Sequence, residues 1–273
     1  MIPAITRMVL PMIAAATTLT TGLAMAGDTN VDHSADSNGS SQSGLCAGLP
    51  GHDTLEAALT SARAMPNGGF NLDMWGAVVN RDGIVCAVAF TGANRGSQWP
   101  GSRVISAQKA NTANSFSLPA LALSTANLWA AVQPGGSLYG LQHSNPVDTE
   151  TAYRGPATNF GQKDDPMVGR RIGGVNVFGG GLALYNAKKQ LIGAVGVSGD
   201  TSCADHNIAW RTRHTLQLDW VPAGVSVNGD DNINYVSIVA VPSLQADFSH
   251  PICKIAGVDG VSQISINLPP IRK

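Results

Sequence analysis

The chain has 273 residues, of which 44% are hydrophobic and only 13% charged, and 17 Lys and Arg against 18 Asp and Glu leave a net charge of −1. The charged share is roughly half that of an ordinary soluble domain. With no basic cluster, nucleic acid is excluded as an expected partner. The length suits one large domain, or one domain with appendages.

In chain order, the first segment is MIPAITRMVLPMIAAATTLTTGLAMA. Arg7, the apolar run 8–23 and the small-x-small Ala24-Met25-Ala26 predict a cleaved secretory signal over residues 1–26, hence a periplasmic or secreted protein. Thr17, Thr18, Thr20 and Thr21 interrupt the run, which falls short of the ~20 residues of a membrane span. No later stretch is long enough either. Residues 27–50, rich in Ser, Gly, Asp and Asn, predict a flexible leader. Cys46, Cys86, Cys203 and Cys253 form an even set, which in an exported chain predicts disulfides. Of the three connectivities, Cys46–Cys86 with Cys203–Cys253 is preferred.

Order is expected from Asp53, with Asp53 and Glu56 as a reciprocal cap and Leu55, Ala58, Leu59 and Ala62 on one helical face. Met74–Asn80 and Ile84–Thr91 read as a strand hairpin about Arg81-Asp82-Gly83. Ser102 caps a helix to about Phe116, and Pro119 opens a second to about Gln133. Residues 137–172 show no period, and a loop of that length suggests a lid, a binding loop or an interface arm. Gly173–Phe178, Leu182–Tyr185 and Gln190–Val197 read as strands, followed by a helix over Ser202–Leu216 and a strand at Tyr235–Val241. This order predicts an α+β domain with a largely antiparallel sheet.

Three segments carry a resemblance. AVVNRDGIVCAVAF, then SAQKANTANSFS on a helix, then GGGLALYNAKKQLIGAVGVSGDTSCADHNIA, are similar in kind and order to the haem-binding GlcG/HbpS-like family. The likeness spans roughly residues 53–216, with 137–172 as an insertion. It makes 51–220 the family domain and 221–273 a C-terminal extension packed on it. It implies a profilin-like sandwich covered by helices, a homo-oligomer, and non-covalent binding of haem or a related planar ligand, in some relatives linked to haem sensing or iron handling.

Lys109 lies on a small, apolar helix face and is the expected partner of a ligand carboxylate. His206, in the first turn of the helix after Cys203, is the expected iron ligand, because imidazole is a common axial donor. His143, His214 and His250 are rivals. Arg171 is a second anion partner, although a local ion pair of Arg170 or Arg171 with Asp164 or Asp165 is the simpler reading. Ser198 fails the G-x-S-x-G elbow, because Gly199 follows it directly, and reads as part of a tight turn. Cys203-x-x-His206 and His250-x-x-Cys253 have a zinc-like spacing, but an oxidising compartment favours a disulfide. Trp99, Trp129 and Trp210 are candidates to flank a flat ligand. No catalytic residue is assigned. The rival readings are a metal-independent enzyme using Lys109 or Asp205 with His206, and an assembly partner docking through loop 137–172.

Overall fold

Small and apolar residues build most of the sheet. β1 (Trp75–Asn80) and β2 (Val85–Phe90) pair antiparallel across a turn in which Gly83 takes φ +74°, a value that favours glycine. β3 (Gly181–Tyr185) and β4 (Leu191–Ser198) form a second antiparallel pair. β1 and β4 join the hairpins, giving the order β2-β1-β4-β3. A computed structural model provides this view and describes residues 44–236, 247–253 and 261–273. The expected signal segment, residues 27–43 of the leader and the strand beyond Val236 lie outside the described residues.

Both faces of the sheet are covered, so apart from Asn80 and Ser198 at strand ends its strands are largely apolar rather than alternating with polar residues. Val78, Val195 and Val197 pack under α1 (His52–Arg63), where Leu55, Leu59 and Ala62 are buried, and under the later helix carrying Ile208 and Ala209. Ala77, Val79 and Ala194 face α2 (Ser102–Phe116) through Val104, Ala107, Ala110 and Ala113. A short α3 (Thr149–Tyr153) precedes α4 (Ser202–Thr215), the helix that shares its face with α1. The result is the α+β sandwich that the resemblance implies.

α2 approaches the sheet more closely than side chains normally permit. A Cβ on Gly196 would fall 1.9 Å from the Ser106 carbonyl oxygen, and one on Gly181 would fall 2.4 Å from that of Lys109. Glycine at these two strand positions is therefore a packing requirement, not a turn signal.

Five local expectations are corrected. Residues 119–133 do not form a helix. Apart from a 3-10 turn at Ala130–Val132, the segment is a buried loop whose polar groups bond to distant backbone. The Thr125 hydroxyl accepts from Gly181 N at 2.9 Å, and Asn127 bonds to Asn232 O and to Asn234 N, both at 2.8 Å. Residues 173–178 are not a strand, because Gly173 and Gly174 both have positive φ. Loop 137–172 contains α3 and a 3-10 turn at Ala157–Asn159, and it is anchored by a buried ion pair described below. The Asp53–Glu56 cap is absent: Gly51 precedes α1, and the Asp53 carboxylate pairs with Lys163 at 2.7 Å. Order also begins before Asp53, since Cys46 is bonded to Cys86 and Asn80 donates to Leu45 O at 2.9 Å.

The tail returns to the domain. β5 (Tyr235–Val236) pairs in parallel with β6 (His250–Pro251), and a disulfide joins Cys253 to Cys203. Both bridges follow the preferred pairing. After α5 (Val261–Ile266), Pro269 O accepts from Trp210 Nε1 at 2.8 Å. The tail side also closes edge strand β3. The outward groups of Gly181 bond to Thr125, the Ala183 carbonyl accepts from Arg213 at 3.0 Å, and Tyr185 bonds to Leu218 and Trp220.

Gly196→Ala is expected to destabilise the fold by about 1–3 kcal/mol or more, the cost of overpacking a filled interior. Urea unfolding reads this as a lower midpoint; an unchanged midpoint would show that α2 can retreat freely.

Candidate functional site

Two places concentrate chemistry: the buried start of α4 and an apolar cleft beside β1. At the first, Thr201 caps the helix by accepting from Ala204 N. Asp205, in the first turn, suits the positive end of the helix dipole. Its Oδ1 accepts from Asp200 N at 2.8 Å and its Oδ2 from Lys109 Nζ at 2.7 Å. Lys109 also donates to Val197 O at 3.1 Å, so its ammonium bridges α2, β4 and α4. Both side chains are almost fully buried. Burial pushes the Asp205 carboxyl up to about 6 against the pull of Lys109, and the same desolvation lowers the Lys109 ammonium. Asp200 accepts from Phe70 N and Leu72 N, tying the loop before β1 to the same hub.

The nominated residues do not gather around an open slot. Lys109 has an internal partner, Asp205, in place of a ligand carboxylate. His206 is completely buried, with Nε2 3.2 Å from Asn232 Oδ1 and its ring 6.0 Å from that of Trp210. A 280 Å³ recess lies nearby, but Trp210 and Asn232 line it and His206 does not. Desolvation, helped by the Arg213 charge, drives the imidazole down to about 3. His206, the expected iron ligand, is thus a fully enclosed ring in this fold. Arg171 is exposed and donates to Asp82 O at 2.9 Å. It therefore sits beside the β1–β2 turn, at the opposite end of the sheet from the β4 residue that Lys109 contacts. The local Arg–Asp pairing is also corrected, because Asp165 pairs with Arg103 and Asp164 with Asn159.

The other candidates divide similarly. Ser198 is buried and donates to Ser102 Oγ at 3.2 Å, in keeping with a structural turn. His214 bonds to Asp219 at 2.7 Å, and His143 is exposed. The four-residue zinc set is not assembled, since Cys203 and Cys253 are bonded to each other and His206 faces Asn232. Trp129 packs near His250, Trp210 lies in the core over Arg213, and Trp99 is exposed.

The cleft has a volume of about 580 Å³, within the range of small-molecule pockets. Trp75 of β1 forms part of its lining, the β2–α2 loop contributes Arg95 and Pro100, and the long loop contributes Tyr153, Ala157 and Phe160. A buried ion pair sets the last wall. Arg103 of α2 bonds Asp165 Oδ2 at 2.8 Å and Ala152 O at 2.8 Å, and its guanidinium lies 3.7 Å from the Phe160 ring centre. Asp165 also accepts from Gly161 N and Met167 N, fixing the loop's course. Trp75 packs edge-on to Phe90 at 5.2 Å, and its buried Nε1 has no hydrogen-bond partner. An orphan buried donor is costly, and this one is sealed from the surface. Sequence reading missed this site because its residues come from three segments that no single motif spans.

A four-stranded antiparallel sheet between α2 and the α1/α4 pair defines the profilin-like class of α+β sandwich. The family model described as haem degrading protein HbpS-like matches residues 52–213, and the chain belongs to that family. Among solved structures it is similar to the Klebsiella pneumoniae protein ORFY at 27% identity, over 60% of this chain and 87% of that one, with a TM-score of 0.41. A complex of PduOC with haem is similar at 22% identity, over 61% and 94%, with a TM-score of 0.42. A double mutant of Streptomyces reticuli HbpS is similar at 19%, over 60% and 83%, with a TM-score of 0.38. No curated protein is similar enough in sequence to match.

Two measurements test the hub. Lys109→Met strands a buried carboxylate and is expected to cost about 3–5 kcal/mol, whereas Lys109→Met with Asp205→Leu recovers most of that loss. Denaturant midpoints of the singles and the double check it; additive losses would mean the two groups do not interact. The second concerns His206, whose folded pKa near 3 lies below the ordinary 6.5. The unfolded chain then binds the extra proton between those values, so the stability His206 contributes is complete above pH 6.5 and lost as pH falls toward 3. The stability gap between the wild type and His206→Gln should therefore shrink by about 2 kcal/mol from pH 7 to pH 5, at ~1.4 kcal/mol per pH unit. A constant gap would show that the ring is protonated in the fold.

Proposed function

We propose that the protein binds haem, or a planar tetrapyrrole like it, non-covalently in the cleft between β1, the β2–α2 loop and the long loop. The observation that carries the reading is the cleft itself: an apolar, aromatic-lined recess in a member of an HbpS-like family. Half-buried Phe160 and exposed Pro100 offer apolar contact, while Trp75 is almost fully buried in the lining. Arg95 at the exposed rim is the cation suited to a ligand carboxylate. Tyr153 is the lining residue whose type serves as an axial donor to haem iron, and its ring is largely exposed. These residues fit the group, and haem would supply a redox-active iron there. In this reading Arg95 and Tyr153 stand where Arg171 and His206 are expected from the resemblance. Two disulfides support an exported protein, in which such a site would serve haem sensing or iron handling.

Haemin titration of the purified chain is expected to shift the Soret band to saturation at one haem per chain. Arg95→Gln should weaken binding roughly tenfold, the loss of a charge-assisted hydrogen bond. Tyr153→Phe should remove the phenolate-to-iron charge-transfer band, while His206→Gln leaves the spectrum unchanged. Absence of any Soret shift sinks haem binding; a shift indifferent to both Arg95→Gln and Tyr153→Phe moves it out of this cleft.

A further inference from the structure

The start of α4 holds a second constellation that the haem reading does not use. The sulfurs of Cys203 and Cys253 and a ring nitrogen of His250 all lie within 4.8 Å of one another. Cys203 and His250 are buried, and Cys253 is half-buried. We infer that these three residues form a redox-gated site for zinc or a similarly soft divalent cation, closed while the sulfurs are joined and opened when they are reduced.

Geometry and charge both favour it. The two cysteine Cα atoms are 6.2 Å apart, and His250 Nδ1 is already 4.0 Å from Cys203 Sγ. In the oxidised form Nδ1–H donates to Pro251 O at 2.7 Å and Nε2 accepts from Ser202 Oγ at 2.8 Å. Moving the ring proton to Nε2 frees Nδ1 as a ligand and lets Nε2–H donate to Ser202. A zinc-bound histidine commonly has such an outer partner. Ser202 is itself held, because its hydroxyl accepts from Gly179 N at 2.7 Å. Two thiolates cancel the charge of a divalent ion, so the filled site places no net charge in the interior. Three protein ligands leave a fourth tetrahedral position for water.

The gating step balances. A dithiol reductant gives two electrons and two protons to the Cys203–Cys253 bond and becomes a disulfide itself, leaving two thiols. Metal binding then releases both thiol protons to solvent. The same pair of cysteines thus ties the tail to α4 in one redox state and holds an ion in the other.

Full-length protein, oxidised or reduced with a phosphine under anaerobic conditions, is titrated with Zn²⁺ against a chromophoric chelator. The reduced chain is expected to take up one Zn²⁺ and the oxidised chain none. Co²⁺ in place of zinc should give a thiolate charge-transfer band. Ser202→Ala, which leaves all three ligands, should weaken affinity roughly 10–100-fold, the usual cost of losing an outer partner. Cys46→Ser with Cys86→Ser should retain the metal, because the other bridge plays no part. Equal uptake in both redox states, no uptake in either, or full uptake by Cys203→Ser with Cys253→Ser would each overturn the site. Should that last variant misfold, the oxidised–reduced comparison on the wild-type chain decides alone.

Discussion

The close seating of α2 on the sheet is the constraint from which the rest follows. Gly181 and Gly196 remove the side chains that would hold the helix away, so backbone meets backbone at Ser106 and Lys109. A layer this thin has no room for a flat ligand between α2 and the strands. It also brings the base of Lys109 close enough to β4 for its ammonium to reach Val197 O and Asp205. A buried ammonium is tolerable only with such partners. The hub at the start of α4 is the electrostatic consequence of a steric fact.

The same seating leaves the open recess elsewhere. With the sheet faces filled, the recess forms where loops meet the end of β1, and the long loop must be held rigidly to make a wall. Arg103 does this from α2. Its fork takes Asp165 and Ala152 O together, while its flat face lies against Phe160. A residue on the most tightly packed helix thereby orients a cleft residue, coupling core packing to the shape of the recess.

The parts of this arrangement that arise from local pattern were legible in the sequence. α2 runs over Ser102–Phe116 as its spacing predicts, and the hairpin strands and α4 fall within a residue or so of their expected bounds. The 119–133 segment misled because Ala122, Leu123, Ala126 and Leu128 mimic a helical stripe. Its intervening Ser124, Thr125 and Asn127 are buried too, and a helix would leave their partners on β3 and the tail unmet. Lys109 lies on a small, apolar helix face in the sequence, yet its partner Asp205 is 96 residues away, a separation no periodicity reveals. His206 drew notice for its chemistry alone. Sequence could not show that Trp210 and Asn232 enclose it, just as it could not bring Trp75, Arg95 and Tyr153 to one recess.

The closure of β3 bears on how copies of this chain can associate. A strand at the margin of a sheet ordinarily offers a ladder of unmet amides and carbonyls to any passing chain. Here Thr125, Arg213, Leu218 and Trp220 already occupy the outward positions at Gly181, Ala183 and Tyr185. At the opposite margin Val85 bonds to Gly169 and Arg170, and Ala87 and Ala89 are buried. Ribbon-like growth by strand recruitment is therefore opposed at both margins of the four-stranded sheet. Contacts through side-chain surfaces can close into finite rings or pairs instead of extending into fibres.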